Sequence, residues 1–494
     1  MMDAHPIERR VGVRRYVTAV PGTGGRLRRR PEDFRVTELE DFAVEPLDAD
    51  PGAYPHLVVR ATLRGWDTND FARALSDRLG MSRERVSWAG TKDKHAVTTQ
   101  LVSVRAPDLD PADLPDLPDA RVEPVGRAGR ALEFGDLAGN AFDIVVREAD
   151  APDRAPAVAA QLRRFAATGT TADDEAESAP GADATGTAAA TETDGPAAVP
   201  NYFGQQRFGS QRAVTHEVGL ALLDGSWRDA VLAYAGNPSE RERPDSRAAR
   251  ERFAAEAETA DPNWAGALAA FPDRLGYERA MVQALAERDA GADDEAAFRA
   301  ALETTPSTLQ SMFVNAAQSY AFNEVLSRRL DRGLPLTRPV AGDVVCFADR
   351  VETPDGGTLA VPDADRCQRV DADRVEPVRR HCERGRAFVA LPLVGMETEF
   401  AEGQPGEIER AVCADLGIAP ADFDLPEPFA SRGTRRAAAV RADVTVDLEA
   451  PGSDADDAGG AHAADAYTLS FALPSGSYAT VVCREFLKVS PERL

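Results

Sequence analysis

Alternating apolar and polar positions predict strands in both halves of the chain. Apolar residues occupy every second position in 444–448 and again in 467–473, which is the period of half-buried strands. The two runs predict a β-hairpin whose long acidic tip is 449–465. Shorter strand-like runs occur at 85–88 and 100–104.

Elsewhere the apolar positions follow the period of a helix. A helix is predicted over 68–79, where apolar residues recur four positions apart, with a cap at Thr68 or Asn69 and an end at Gly80. The region 202–420 has mostly helical patterning with short strands. Strands and helices together indicate an α+β protein.

A change of composition indicates where the chain is divided. The stretch 168–198 has no aromatic, Leu, Ile or basic residue, so it cannot bury enough apolar surface to offset the entropy of ordering and is expected to be disordered. A lone hairpin is marginally stable, so the closing hairpin is expected to join the sheet of the first block. The predicted units are 1–165, the first part of a discontinuous domain; 166–199, an acidic disordered linker; 200–420, an inserted domain; and 421–494, the closing part.

The charge of the chain bears on whether it binds nucleic acid. A formal net charge of -25 disfavours a general phosphate-binding surface. Lysine occurs only at Lys92, Lys94 and Lys488, and this acidic, lysine-poor composition is typical of halophilic organisms that hold molar salt. At about 1 M ionic strength the Debye length is about 3 Å. Local arginine clusters can therefore still bind RNA.

Several classes of function are disfavoured by missing motifs. None of the lysines lies in a Gly-Lys-Ser/Thr context, so a P-loop is excluded. The six histidines are scattered and the five cysteines form no C-x-x-C pair, so no metal site is expected. The absence of a signal-like or membrane-spanning apolar run predicts a soluble, cytoplasmic protein.

One aspartate has an unusual setting. Two of the three lysines flank it, in the order Lys92, Asp93, Lys94, and their ammonium groups would favour the ionised carboxylate that a nucleophile requires. The alternative is a charged β-turn between two strands, which the spacing alone does not reject.

The segment that contains Asp93 carries a family resemblance. Residues 88–100, Trp-Ala-Gly-Thr-Lys-Asp-Lys-His-Ala-Val-Thr-Thr-Gln, resemble the signature of the TruD family of tRNA pseudouridine synthases. Other segments resemble the same family in the same order, and they are 31–34, 137–142, 200–209, 318–323, 473–480 and 484–485. The resemblance implies a V-shaped protein whose circularly permuted catalytic domain, with a mixed or antiparallel sheet, is interrupted by a TRUD domain.

The resemblance also implies a reaction. It predicts a monomeric enzyme that converts uridine to pseudouridine in tRNA, at uridine 13 of the dihydrouridine arm, with Asp93 as the nucleophile. The isomerisation is redox-neutral, so no cofactor is expected. Attack at C1′ and removal of the C2′ proton through a glycal both stay open. The alternative function is a noncatalytic RNA-binding or RNA-chaperone protein that keeps the same fold.

Matching to the family, residue by residue, assigns substrate binding to Phe34, Asn140 and Tyr478, with Phe142 beside them. Aromatic faces can stack on an extruded uracil, and a carboxamide can pair with its polar edge. For the two phenylalanines, an ordinary position in a strand core is the alternative.

Basic residues are expected to support the nucleophile and to contact the RNA backbone. Lys92 would support Asp93, whereas Lys94 could contact phosphate. The segment 201–208 is expected to be either a stacking surface or an interdomain packing segment. Two arginine clusters are predicted to contact the backbone, with solvated surface as the alternative; they are Arg26, Arg28, Arg29 and Arg30, and Arg432, Arg435 and Arg436.

Overall fold

The structure, a computed structural model, describes residues 2–92, 94–170, 195–209, 211–353, 356–449 and 465–494. Three predictions lie wholly or largely outside the described residues. They are the nucleophile Asp93, most of the linker, and most of the acidic hairpin tip.

Helices are concentrated in the middle of the described chain. They are α1 (Pro6–Arg9), α2 (Thr68–Arg78), α3 (Ala155–Thr168), α4 (Thr215–Leu223), α5 (Trp227–Val231), α6 (Pro244–Ala257), α7 (Trp264–Leu268), α8 (Gly276–Glu287), α9 (Glu295–Leu302), α10 (Ser307–Asp331), α11 (Val375–Glu383), α12 (Gly403–Leu416) and α13 (Ala479–Leu487).

Strands occur on both sides of this helical region and within it. They are β1 (Gly24–Arg26), β2 (Phe34–Glu40), β3 (His56–Arg64), β4 (Val86–Trp88), β5 (Val97–Arg105), β6 (Ala120–Ala128), β7 (Leu137–Ala149), β8 (Ala197–Pro200), β9 (Val344–Glu352), β10 (Thr358–Arg369), β11 (Ala387–Leu393), β12 (Thr434–Ala437), β13 (Ala439–Ala442), β14 (Thr445–Asp447) and β15 (Tyr467–Pro474).

The largest sheet, which we call the central sheet, combines strands from the two ends of the chain. Its order is β14-β15-β7-β2-β5-β3-β6, with β1 paired to β7 and β4 to β5. Strands β2 and β5 run parallel, and the other pairs are antiparallel. The mixed α+β fold and the joining of the closing hairpin to this sheet are as predicted.

The two faces of the central sheet have different coverings. We call the face that bears Phe34, Val36 and Glu38 the front face, and the face that bears Arg35 and Thr37 the back face, because side chains alternate along a strand. Helix α2 packs on the front face over β3 and β5, whereas α3 and α13 pack over β7 and β15. The middle of the front face lies between these two groups of helices.

The N-terminal cap of α2 differs from the prediction. The cap is Asp67, whose carboxylate accepts hydrogen bonds from the backbone N–H groups of Asn69 (2.8 Å) and Asp70 (3.4 Å). A cap must lie just before the first helical residue to satisfy these donors, so the assignment to Thr68 or Asn69 was wrong. The Thr68 hydroxyl makes other contacts, described below.

The ends of the predicted linker are ordered, so 166–199 was too wide. Helix α3 continues to Thr168 because Phe165 and Ala166 are buried in the core. At the other end, β8 is buried along its whole length and pairs with β13. The remaining predicted domain boundaries stay predictions.

The inserted region contains more sheet than its sequence pattern predicted. Strands β10, β9, β11 and β12 form a sheet in that order, and the long helix α10 is buried for most of its length. Asn323 on α10 accepts a hydrogen bond from the backbone N–H of Phe203 (2.9 Å) and donates to the backbone oxygen of Val11 (2.8 Å). The segment 201–208 is therefore a packing segment here.

Candidate catalytic cleft

The middle of the front face is polar, although it is buried. Glu38 on β2 lies opposite Asn140 on β7, and Val36 lies opposite Thr98 on β5, so Gln100 shares this face. Apart from the Glu38 carboxylate, three buried atoms here lack a hydrogen-bond partner among the described residues, namely Thr98 Oγ1, Gln100 Nε2 and Asn140 Oδ1. Buried polar atoms without partners are costly, so this cluster indicates a site that a polar ligand completes.

The carboxylate of Glu38 makes an ion pair with Lys92. Glu38 Oε1 lies 2.5 Å from Lys92 Nζ, and the two side chains are 0% and 10% exposed. The pair connects the floor of the cleft, on β2, to the segment that runs directly into Asp93. The ammonium of Lys92 is therefore held at the floor of the cleft.

Two further contacts fix the segment that bears Lys92. The backbone N–H of Lys92 donates to Thr68 Oγ1 (3.0 Å), and that hydroxyl is 3.4 Å from Gln100 Oε1. Gly90 lies so close to the floor that a Cβ atom there would stand 2.4 Å from Glu38 Oε1. The start of α2 and strand β2 thus contact the segment at Lys92 and at Gly90.

Burial changes the pKa of two carboxyl groups at the floor of the cleft, Glu38 and Glu40. Desolvation raises the pKa of Glu38 to about 7, although the nearby Lys92 ammonium opposes this shift. Desolvation also raises the pKa of Glu40, the next residue on the same face, with hydrogen bonding from the Leu101 backbone N–H opposing it. Glu38 can therefore gain or lose a proton near neutral pH.

Aromatic side chains continue the front face away from the polar centre. Phe34 and Phe142 pack edge to face with centroids 6.1 Å apart, and Phe142 lies 5.4 Å from Phe471. Both Phe34 and Phe142 are buried. The guanidinium of Arg28 lies over the Phe34 ring, 4.1 Å from its centroid.

Tyr478 reaches the same side of the sheet from the far end of the chain. It caps the start of α13, is half-buried, and packs against Phe203 with centroids 6.1 Å apart. The preceding turn is tied to β7 by a hydrogen bond from the Ser475 backbone N–H to the Ala138 backbone oxygen (2.8 Å). Tyr478 therefore lies near the end of β7 that carries Asn140.

Comparison with known proteins identifies the family to which this arrangement belongs. The family model described as tRNA pseudouridine synthase D (TruD) matches residues 10–486. The chain belongs to the TruD family. Two halophilic relatives named "Probable tRNA pseudouridine synthase D" cover nearly all of it: one from Halobacterium salinarum is 56% identical over 491 residues, 99% of each chain, and one from Natronomonas pharaonis is 54% identical over 496 residues, 100% of each chain.

A solved structure extends the family likeness to three dimensions. The crystal structure described as tRNA pseudouridine synthase D (TruD) from Methanosarcina mazei is 34% identical, covers 100% of both chains and superposes with a TM-score of 0.79. The TruD-family fold of this chain is therefore shown over its full length.

The predicted arginine contacts of this TruD-family chain fall into different environments. Arg28 lines a cavity of about 320 Å³ in which its own Nε and Gln205 Oε1 are buried without a described partner. Arg29 is 3.0 Å from Glu148. Arg26 is half-buried, and Arg30 and Lys94 are exposed. Arg28 is the member of this first cluster that the structure brings closest to the predicted substrate residues.

The second predicted cluster is largely engaged within the protein. Arg436 is half-buried and donates to Asn201 Oδ1 (2.6 Å) and to the backbone oxygen of Gly476 (2.9 Å), and desolvation lowers its pKa to about 10. Arg435 donates to the backbone oxygen of Ala390 (3.0 Å). Arg432 is exposed. These positions favour packing for Arg435 and Arg436 and leave Arg432 accessible to RNA.

Sequence reasoning missed Glu38, Thr98 and Gln100. One signal was present, because the alternation of 34–40 places Glu38 on the same side as Phe34 and Val36, where an apolar residue would be usual. Thr98 and Gln100 lie in the signature segment 88–100, but no pattern in the sequence assigned them to the site. Their role depends on the pairing of β5 with β2, which is a tertiary feature.

Metal and membrane sites were also searched. Within the described ranges, no group of three or more His, Cys, Asp or Glu residues is placed to hold a metal ion. Among the same residues, no helix is both long and apolar enough to cross a membrane.

Proposed function

We propose that this chain isomerises uridine 13 of tRNA to pseudouridine, with Asp93 as the nucleophile and the front-face cleft as the uracil site. Membership of the TruD family supports tRNA pseudouridine synthase activity. The observation that carries the finer proposal is the Glu38–Lys92 ion pair, which fixes the residue directly before Asp93 at the floor of a cleft with unsatisfied polar atoms.

The unsatisfied atoms complement the edge of uracil. Uracil offers one N3–H donor and two carbonyl acceptors. Asn140 Oδ1 can accept the N3–H, and Gln100 Nε2 can donate to a carbonyl oxygen. Tyr478, Phe34 or Phe142 would stack on the ring, as in other sites for extruded bases.

The lysine and the glutamate have separate tasks in this proposal. The Lys92 ammonium favours the ionised form of the neighbouring Asp93, and the Glu38 carboxylate holds that ammonium in place. Glu38 is therefore a positioning residue. The reaction breaks the C1′–N1 bond, rotates the uracil and forms a C1′–C5 bond, and the C5 proton is lost as N1 gains one. Atoms and electrons balance without a cofactor.

We also propose that the enzyme is cytoplasmic and monomeric. The proposal retains RNA-backbone contacts for Arg26, Arg28, Arg29, Arg30, Lys94 and Arg432. The rival function, a noncatalytic RNA-binding protein, keeps the same fold and would still bind tRNA.

A test compares the wild type with Asp93→Asn on unmodified tRNA in concentrated potassium chloride, followed by chemical mapping of pseudouridine. We expect pseudouridine at position 13 with the wild type and none with the variant. Asp70→Asn, which changes an exposed aspartate on α2, is the matched control and is expected to retain activity. Equal turnover by the wild type and Asp93→Asn would overturn the assignment of Asp93 as the nucleophile. If the wild type binds tRNA but forms no product on any cellular tRNA, the rival function is correct.

A further inference from the structure

We propose that a second cleft, on the back face of the central sheet, binds another nucleotide of the same tRNA through its phosphate. The inference rests on the proposed function, because it takes tRNA as the substrate. The cleft encloses about 590 Å³ between the central sheet and the sheet of the inserted region. It is separate from the uracil site because Thr37 and Ala141, which line it, point away from Glu38 and Asn140.

The floor of this cleft is made of small side chains. Thr37, Ala141 and Ala472 lie side by side on β2, β7 and β15, and Leu359 and Ala360 on β10 form the facing wall. Small residues on three adjacent strands leave a flat, open surface. A cleft of this volume is large enough for a nucleotide.

Three arginines, Arg350, Arg384 and Arg441, line the cleft from the inserted region and β13. Arg350 donates to the backbone oxygen of Arg384 (2.9 Å), and Arg441 donates to the backbone oxygen of Glu383 (3.1 Å). Within the described part of the chain, no carboxylate lies within 4.0 Å of the guanidinium groups of Arg350, Arg384 and Arg441. Such pairing is common elsewhere in this acidic protein, so three arginines without it form an unusual concentration of available positive charge.

Arg350 and Arg384 are exposed, so burial without an anion is costly for Arg441 alone among the three arginines. Arg441 is half-buried, and desolvation lowers its pKa, although the nearby Cys382 and Glu383 oppose this shift. The nearby Arg338 has a buried Nε without a described partner. Unpaired, partly buried charges are unfavourable. A phosphodiester placed among these guanidinium groups would remove that cost and satisfy the free donors.

Among the described residues, the acidic side chains of the lining make no ion pair with the three arginines, although the Glu383 carboxylate acts on Arg441 at longer range. Glu383 is 3.0 Å from Arg379, which lies outside the cleft. Asp143 accepts a hydrogen bond from Ser470 Oγ (2.6 Å) on the sheet wall, and Asp443 is exposed at the rim. The Asp143–Ser470 pair offers an acceptor for a ribose 2′-hydroxyl, which only RNA carries. The mixed lining thus fits a ribonucleotide better than a simple anion.

Occupation of both faces requires an extended substrate. The uracil site and this cleft lie on opposite faces of one sheet, so one nucleotide cannot fill both. A full-length tRNA can reach around the sheet edge, whereas a short dihydrouridine-arm stem-loop supplies fewer nucleotides beyond its target. The cleft is expected to contribute to binding of the full tRNA and not to the chemical step.

The experiment uses the double variant R350S/R384S and the single variant R441Q in the full chain. Filter binding measures Kd for unmodified tRNA over a series of potassium chloride concentrations. For the double variant we expect Kd to rise about tenfold and the slope of log Kd against log salt to fall by about one to two, because each lost phosphate contact lowers that slope by about one. KM should rise with full-length tRNA while kcat stays within about twofold, and the stem-loop should show no change.

The matched control is R247S/R299S, which removes two arginines that are partly exposed and paired with Glu251 and Glu303 on helices. It is expected to leave Kd and the salt slope within about twofold of the wild type. Unchanged tRNA binding by both R350S/R384S and R441Q would overturn the inference. Equal losses of affinity for the full-length tRNA and for the stem-loop would also overturn it. Failure of the proposed function gives a different result, because the wild type would then form no pseudouridine. The binding experiment does not depend on product formation, so the two failures are distinguishable.

Discussion

Glu38 Oε1 and Lys92 Nζ lie 2.5 Å apart, and neither side chain has more than 10% exposure. Breaking such a buried pair leaves an uncompensated charge and is strongly unfavourable. The pair joins a strand from the core of the central sheet to the residue before Asp93. The residue directly before the proposed nucleophile is therefore held by a glutamate whose protonation changes near neutral pH.

The first prediction concerns Glu38→Gln and pH. Because desolvation raises the pKa of Glu38 to about 7, the ion pair is mostly lost below that pH and forms as the pH rises. The wild-type kcat is expected to increase from pH 6 to 8 with an apparent pKa of about 7. Glu38→Gln should lower kcat about tenfold or more with little change in KM. It should also abolish the increase of kcat between pH 6 and 8.

Glu38→Asp and Lys92→Arg refine the interpretation. The charged groups that face Glu38 are Lys92 and Glu40, and Arg60 acts on Glu40. Glu38→Asp keeps the charge and should recover part of kcat, whereas Lys92→Arg puts a larger planar cation into a buried position and should not restore full activity. If kcat of Glu38→Gln still increases between pH 6 and 8 as in the wild type, the group that titrates is not Glu38.

The second prediction is that Gly90→Ala inactivates the enzyme without unfolding it. A Cβ atom at Gly90 would stand 2.4 Å from Glu38 Oε1 and 3.3 Å from Lys92 Nζ, so the ion pair must shift. We expect kcat to fall about tenfold or more, while the far-ultraviolet circular dichroism spectrum at the assay temperature stays that of the wild type. Gly276→Ala, where no atom lies within 4 Å, is the control. Full activity of Gly90→Ala would contradict this account of the segment.

Much of the scaffold could be predicted from local patterning. The period of 467–473 placed its apolar residues inward, and in β15 Tyr467, Leu469, Phe471 and Leu473 are indeed buried. We expected this hairpin to complete the first sheet because a lone hairpin cannot bury its apolar face. The pairing of β15 with β7 confirms this expectation. The sheet of β9–β12 was underestimated because its strands lie within a region of strong helical patterning.

The polar centre was harder to predict because it depends on register. Asn140 was assigned by resemblance, but its position opposite Glu38 follows from the pairing of β2 with β7. Thr98 and Gln100 reach the site only because β5 runs parallel to β2. The sequence identifies Arg436 as a basic residue, but it does not predict the hydrogen bond that Arg436 donates to Asn201.

The third prediction concerns uracil recognition by Asn140. Removal of the Oδ1 acceptor by Asn140→Ala should lower kcat/KM about 10- to 100-fold, which is the range for losing a hydrogen bond in a buried site. Far-ultraviolet circular dichroism should stay unchanged. Asn69→Ala, on the exposed side of α2, should keep wild-type kcat/KM. Wild-type kcat/KM in Asn140→Ala would remove Asn140 from the uracil site.

The fourth prediction concerns stability. The buried Arg484 donates to Glu8 and to Glu485, each at 2.6 Å, and so ties α13 to the N-terminal segment. Arg484→Met would leave two buried carboxylates without their cation, and should reduce the free energy of unfolding by about 3–5 kcal/mol. Denaturant unfolding at fixed potassium chloride measures this change. Arg299→Met, which breaks an exposed pair with Glu303, should cost at most about 1 kcal/mol. Equal small losses in both variants would show that the Arg484 network contributes no more than a surface ion pair.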